Sequence, residues 1–246
     1  HKMADFLSRY YKKKVIILLD EYDTPMQEAY VEGYWEELVT FTRSLFNASF
    51  KTNPFLERAL MTGITRVSRE SVFSDLNNLV VITTTSEAYA DSFGFTEAEV
   101  FEALNEFDLT EKSQEVKNWY DGFTFGKIRD IYNPWSILNY LKTKRFSPYW
   151  ANTSSNRFIG TLVRESGRNL KMQFEDLLKG KTVIFKMDEQ IVFEQLQRKK
   201  GAIWSLLLAS GYLKVEKKVP DRRGGRYLYG LKITNYEVLL MFEDMV

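Results

Sequence analysis

Val15-Ile16-Ile17-Leu18-Leu19-Asp20-Glu21 is an unbroken aliphatic run that ends in two adjacent carboxylates, with Lys12-Lys13-Lys14 before it. A short apolar run of this kind, bounded by charge, predicts a strand buried on both faces, hence a central parallel strand. Downstream, Trp35, Leu38, Val39, Thr42, Leu45 and Phe46 recur at helical spacing within about residues 32–50, and Lys51-Thr52-Asn53-Pro54 stops that helix. Ala59 to Ile64 supplies a second apolar run, and Leu79 to Thr83 a third strand candidate after polar connecting chain. Strands separated by helical or loop crossovers predict half of an α/β sheet.

From Phe93 the rhythm turns helical. Thr96 with Glu99 is a capping box, Thr110 is placed to cap a segment through Tyr120, and Asn133-Pro134 is an N-cap followed by proline at the first helical position. Gly122 and Gly126 punctuate the loop between the second and third of these helices. Later elements are a helix from Asn156 ended by Gly167, a helix around Leu170 to Leu178, a strand at Thr182 to Met187 and a helix at Ala202 to Ala209 closed by Gly211. Lys214 to Lys217 and Tyr227 to Ile233 flank Pro220-Asp221-Arg222-Arg223-Gly224-Gly225, a hairpin signature with a glycine-rich tip. A helix running into a basic hairpin is the outline of a winged helix.

Composition removes much chemistry at once. The 246 residues are 44% apolar and 15% aromatic, which is enough to fill a sizeable core and argues against disorder. There is no cysteine and one histidine, His1, so thiolate nucleophiles, Cys-ligated metals and His-based triads are excluded. Chemistry must rest on carboxylates, lysine, arginine, hydroxyls or a hard metal such as magnesium. The 34 basic and 33 acidic side chains nearly balance. No stretch approaches the roughly 18 apolar residues that span a bilayer, and the start does not read as a signal peptide, so a cytoplasmic location is expected.

In open α/β sheets ligands bind at the C-terminal edge of the strands, where Asp20 and Glu21 fall. In a P-loop ATPase such a strand is the Walker B element: the first acid holds magnesium, often through water, and the second orients or deprotonates the attacking water. Asp20 is then the metal residue and Glu21 the catalytic one. The alternative is a strand that simply ends in two solvated acids, since the dipeptide is short and degenerate. Asp23, followed by Thr24-Pro25, reads either as a supporting acid or as a turn or cap residue. A metal-dependent nuclease site built from Asp20, Glu21 and Asp23 is a weaker reading, because residues 62–66 offer no partnering lysine.

The longer string Val15 to Pro25, VIILLDEYDTP, resembles the Walker B region of the bacterial AAA-ATPase-like family. Further similarity runs through most of the chain in order: Ala59-Leu60-Met61-Thr62-Gly63-Ile64-Thr65-Arg66, Phe73-Ser74-Asp75-Leu76-Asn77-Asn78, Phe93 to Val100, Trp119-Tyr120-Asp121-Gly122-Phe123, Tyr132-Asn133-Pro134-Trp135-Ser136 and Tyr149-Trp150-Ala151-Asn152-Thr153. The resemblance implies an α/β fold: a partial parallel P-loop ATPase sheet, its Walker B half, followed by a helical lid and a winged-helix-like domain. It implies boundaries of 1–92 for the ATPase core, 93–150 for the lid and 151–246 for the winged-helix-like part. It places a nucleotide sensor at Thr65 and Arg66, where the bland alternative is close packing at Gly63 and a surface ion pair. It further implies magnesium and ATP as cofactors, and a PD-(D/E)XK nuclease-like domain beyond Val246.

A phosphate loop has GxxxxGK[ST] spacing between strand and helix. The one Gly-Lys-Thr, Gly180-Lys181-Thr182, has Glu175 where the first glycine belongs and runs helix, loop, strand, so it is read as a helix C-cap. In the family the Walker A loop lies upstream of Walker B, and this chain begins about a dozen residues before that element. The expected partner is therefore an N-terminal P-loop segment, without which the chain is expected to be inactive. In the usual sheet order its strand lies between the two later ones, leaving unpaired edges in its absence. The aromatics from Trp119 to Trp150 are read as core rather than as a base-stacking surface. Between Lys214 and Lys232 seven basic residues face two acidic ones, which makes Arg222, Arg223 and Arg226 candidate nucleic-acid contacts in a non-catalytic reading, against a solvated, aggregation-resistant hairpin.

Overall fold

The computed structural model describes residues 1–64, 73, 76, 78–151, 160, 163–164, 167–186, 201–221 and 227–245, excluding the side chains of Val31 and Met245. The chain divides into two compact units, residues 1–81 with 188–206, and residues 82–187 with 207–246. The helical segment after Phe93 and the described hairpin strands share the second unit.

In the first unit, α1 (Lys2–Tyr11) precedes β1 (Val15–Leu19), which pairs in parallel with β2 (Leu56–Met61). Between them run α2 (Thr24–Glu32), α3 (Trp35–Phe46) and a wide π-type turn over Asn47–Lys51. The single helix expected over 32–50 is therefore a helix plus that turn, and α2 is an addition. Gly33 at φ +85° ends α2 in the left-handed region, which separates the two helices. Met26, Ala29, Val39, Phe46 and Phe73 are buried, with Phe46 stacked on Phe73 at 5.6 Å.

Two sheet expectations need correction. β1 is not covered on both faces: Val15, Ile17 and Leu19 are half-buried, whereas Ile16 is 60% and Leu18 74% exposed. Leu79 to Thr83 forms no strand, because nothing among the described residues hydrogen-bonds it as a neighbour, and Val80 is 86% exposed. The parallel sheet among the described residues is thus the β1–β2 pair alone.

In the second unit, β3 (Phe95–Thr96), β4 (Phe123–Phe125) and β5 (Ile128–Tyr132) form an antiparallel sheet of order β3-β5-β4. The stretch around Gly122 and Gly126 is therefore a hairpin rather than a loop. Thr96 caps α4 (Glu97–Glu106) through the expected capping box, and Asn133 Oδ1 accepts from the amides of Trp135 and Ser136 to cap α6 (Pro134–Thr143). Thr110 does not cap α5 (Ser113–Tyr120): a single 3-10 turn over Thr110–Lys112 intervenes, and the Thr110 hydroxyl donates to Asn105 instead.

Val100, Leu104, Val116, Tyr120, Tyr132, Ile137 and Tyr140 form the core of this layer. The Tyr120 hydroxyl donates to the Ser147 carbonyl at 3.0 Å and accepts from the Ser147 amide at 3.1 Å, so the buried phenol is satisfied twice. Then follow α7 (Arg168–Leu178), β6 (Val183–Phe185), α8 (Ala202–Ala209), β7 (Leu213–Pro220), β8 (Tyr227–Ile233) and α9 (Tyr236–Met245), with an antiparallel sheet of order β6-β8-β7. Gly180, at φ +76°, follows α7 and its amide donates to Leu177, so Gly180-Lys181-Thr182 is the helix C-cap that its order implies. The helix expected from Asn156 to Gly167 falls mostly outside the described residues.

Candidate functional site

The parallel register sets Leu19 opposite Met61, so the residues that follow, Asp20 and Thr62, leave the sheet side by side. The ladder continues one step past both strands, through Thr62 N–H to Leu19 O at 2.9 Å and Tyr22 N–H to Thr62 O at 3.0 Å. This pins the turn that carries the two acids. The Thr62 hydroxyl donates to Asp20 Oδ1, and the Glu21 amide donates to that same oxygen at 3.1 Å and to Thr62 Oγ1 at 3.3 Å. One carboxylate oxygen of Asp20 is thereby held, and the group as a whole stays exposed.

Glu21 sits at φ +49°, a left-handed conformation that costs a non-glycine residue about 1 kcal/mol or more and recurs at functional turns. Its side chain is exposed, with Oε2 accepting from the Thr24 hydroxyl at 3.4 Å. Asp23 is the opposite case, only 1% exposed. It is the N-cap residue of α2 by position, but its side chain makes no capping bond; it accepts from the Ile64 amide at 3.3 Å and from Gln27 Nε2 at 3.4 Å. A Cβ at position 63 would fall 2.6 Å from Asp23 Oδ1 and 2.8 Å from the Tyr22 ring, so only glycine lets β2's exit lie this close. Asp23 is therefore a tether between the turn after β1 and the chain leaving β2, and it points away from the role of third exposed ligand.

The donor set suits a hydrated Mg²⁺. That ion keeps several waters and is bound through one or two carboxylates plus substrate phosphates, so it needs no dedicated protein cage. Asp20 and Glu21 are exposed oxygen donors at a strand's C-terminal end, and among the described residues no group of three or more acidic or histidine side chains could form such a cage. The same fact weighs against the three-acid nuclease site. Thr65 and Arg66, and Arg222, Arg223 and Arg226, lie outside the described residues. Thr62 is the residue that sequence reading missed. Its signal is register: once the two runs are paired Leu19 to Met61, the first hydroxyl after β2 must face the first acid after β1.

Residues 1–73 match the AAA-ATPase-like family, described as a predicted AAA-ATPase. An uncharacterized protein in the vnfD 5′ region of Azotobacter chroococcum mcd 1 is 30% identical over 156 residues, covering 62% of this chain and 30% of that protein. The chain thus spans under a third of the length of that relative. No solved structure matches. Among the described residues no helix is long and apolar enough to cross a membrane.

Proposed function

We propose that this AAA-ATPase-like chain supplies the Walker B half of a nucleoside-triphosphate hydrolase and acts only together with a P-loop segment of the whole protein. The observation that carries this reading is the pairing at the end of the two parallel strands, where the Thr62 hydroxyl holds one oxygen of Asp20 and leaves Glu21 projecting at the rim. The match over residues 1–73 supports the same assignment.

Bound there with ATP, Mg²⁺ would supply charge neutralisation at the β- and γ-phosphates. Asp20 would hold the hydrated ion through its free carboxylate oxygen, the other oxygen being fixed by the Thr62 hydroxyl and the Glu21 amide. Glu21 accepts a hydrogen bond from the attacking water and orients it toward the γ-phosphate. Thr65 and Arg66 sense the phosphate, the first by its hydroxyl and the second by its charge. The exposed Ile16, Leu18 and Leu60 are the surface that a phosphate-loop strand and its helix would cover. In the intact protein a nuclease-like domain follows downstream, and the location is cytoplasmic.

The test is a longer protein that includes the phosphate loop. Glu21→Gln is expected to retain Mg-ATP binding and to lose hydrolysis by about 100-fold or more, and Asp20→Asn to lose magnesium-dependent binding. Unchanged hydrolysis in Glu21→Gln would sink the assignment.

A second reading has its own observation. The sheet order β6-β8-β7, with α8 preceding the β7–β8 hairpin, supports a winged-helix reading, and Lys217 and Lys218 are exposed on β7. On this reading the hairpin, with Arg222, Arg223 and Arg226, contacts nucleic-acid phosphates or a protein partner. Salt-dependent binding of duplex DNA, lost on neutralising the three arginines, would favour it.

A further inference from the structure

Glu237, in the first turn of α9, is fully buried and accepts from three neutral donors. Its Oε2 takes the Ser136 hydroxyl of α6 at 2.9 Å, and its Oε1 takes the successive amides of Trp150 and Ala151 at 2.6 and 3.3 Å. The partners come from different parts of the second unit. Ser136 belongs to the α4–α6 layer, α9 follows β8 of the β6-β8-β7 sheet, and Trp150-Ala151 lies where the chain leaves the layer. The residues just before that exit are held to the layer as well, through the paired Tyr120–Ser147 bonds and the Tyr149 hydroxyl, which donates to the Arg145 carbonyl at 2.7 Å. A hinge works by letting a few connecting residues change φ and ψ. Here two consecutive connecting amides are fixed by an acceptor that comes from the far side of the junction.

The seam around this group is close. A Cβ at Gly122, φ +130°, would lie 2.1 Å from the Thr234 carbonyl, and one at Gly211, φ +79°, would lie 2.6 Å from the Phe123 ring. Trp119 meets Tyr236 edge-on at 4.8 Å, and the Trp150 ring stands 5.7 Å from Phe123 and 5.4 Å from Tyr212. Apolar contacts are non-directional, so on their own they allow the two faces to slip. Three hydrogen bonds that converge on one buried carboxylate do not, because a small displacement leaves polar groups buried without partners.

We propose that Glu237 is a hinge lock: it welds the α4–α6 layer to the β6-β8-β7 sheet and α9, so that any displacement of the layer is transmitted to the β7–β8 hairpin. The lock works through acceptor geometry at the junction and is independent of nucleotide chemistry.

The test is native-state hydrogen exchange of the 246-residue chain, read residue by residue by NMR. In the unsubstituted chain Trp150, Ala151, Leu104 of α4 and Leu231 of β8 are expected to exchange through one common opening, with protection equal within about threefold. Glu237→Met, which keeps the volume and removes the acceptors, should speed exchange at Trp150 and Ala151 by about tenfold or more and separate Leu104 from Leu231 by a similar factor. Glu237→Gln keeps an acceptor for the two amides and presents a donor that the Ser136 hydroxyl can accept, so it should restore the common opening. Separate openings for Leu104 and Leu231 in the unsubstituted chain, a Glu237→Met chain in which they still exchange together, or a folded Glu237→Gln chain that behaves like Glu237→Met overturns the proposal. If Glu237→Met fails to fold, the unsubstituted chain and Ser136→Ala carry the test: Ser136→Ala should speed exchange at Trp150 and Ala151 by about threefold, and unchanged rates there overturn the lock.

Discussion

The β1–β2 pair and the α4–α6 layer use the same kinds of residue to opposite ends. In the layer, Tyr120, Tyr132 and Tyr140 are at most 1% exposed, and the Tyr120 and Tyr132 hydroxyls find partners in Ser147 and Glu97. On the sheet pair, Ile16, Leu18 and Leu60 lie in the open among the described residues. An apolar residue stabilises only in proportion to the surface it removes from water, so equal composition gives a closed core in one place and an unfinished face in the other. The unfinished face is also where the exposed acids sit.

The sharpest way to test that contrast is to truncate on the closed side. Tyr120→Ala is expected to cost about 3–5 kcal/mol in urea unfolding, since it leaves a cavity and strips Ser147 of two hydrogen bonds. Next comes Glu237, fully buried, which accepts from Ser136 at 2.9 Å and from the Trp150 and Ala151 amides at 2.6 and 3.3 Å. Glu237→Ala strands those donors and should cost about 2–3 kcal/mol by the same measurement.

Asn133→Ala removes the cap of α6 and should cost about 1 kcal/mol. A pH series sharpens the closed side further. Because the folded Asp121 carboxyl is raised above its unfolded value, folding takes up protons, and stability declines as pH rises from about 4 through about 6. Asp121→Asn should flatten that part of the thermal-midpoint curve.

At the small end, Leu18→Ala should change stability by less than about 0.5 kcal/mol in this chain despite deleting a large aliphatic group. A loss of about 2 kcal/mol or more would show that the strand face is covered after all. In a longer protein carrying the phosphate loop, the same substitution is expected to become costly.

What could be read from sequence follows the range of the interaction. The capping box at Thr96, the Asn133-Pro134 start and the Gly180 stop depend on neighbours within four residues, and each stands where the pattern put it. Leu79 to Thr83 failed because a strand needs a hydrogen-bonding neighbour, which its own residues cannot declare. Two glycines hide the β4–β5 hairpin because Gly126 reads as loop punctuation, whereas its φ of +55° turns the hairpin. The position of Asp20 and Glu21 at a strand end was legible because the strand and its acids are contiguous. Thr62 was not, because its role exists only in the register of two strands separated by two helices. Asp23 was legible as a turn residue but not as a tether, since the Ile64 amide it binds lies 41 positions away.

The threonine bridge has a mechanical consequence. Its hydroxyl touches the first acid while its carbonyl and amide hold the flanking backbone, so any slide of the second strand along the first must rotate that carboxylate. Axial motion in the sheet and the aim of its oxygens are geared together, and a sub-ångström shear at the strand ends would be enough to disengage them.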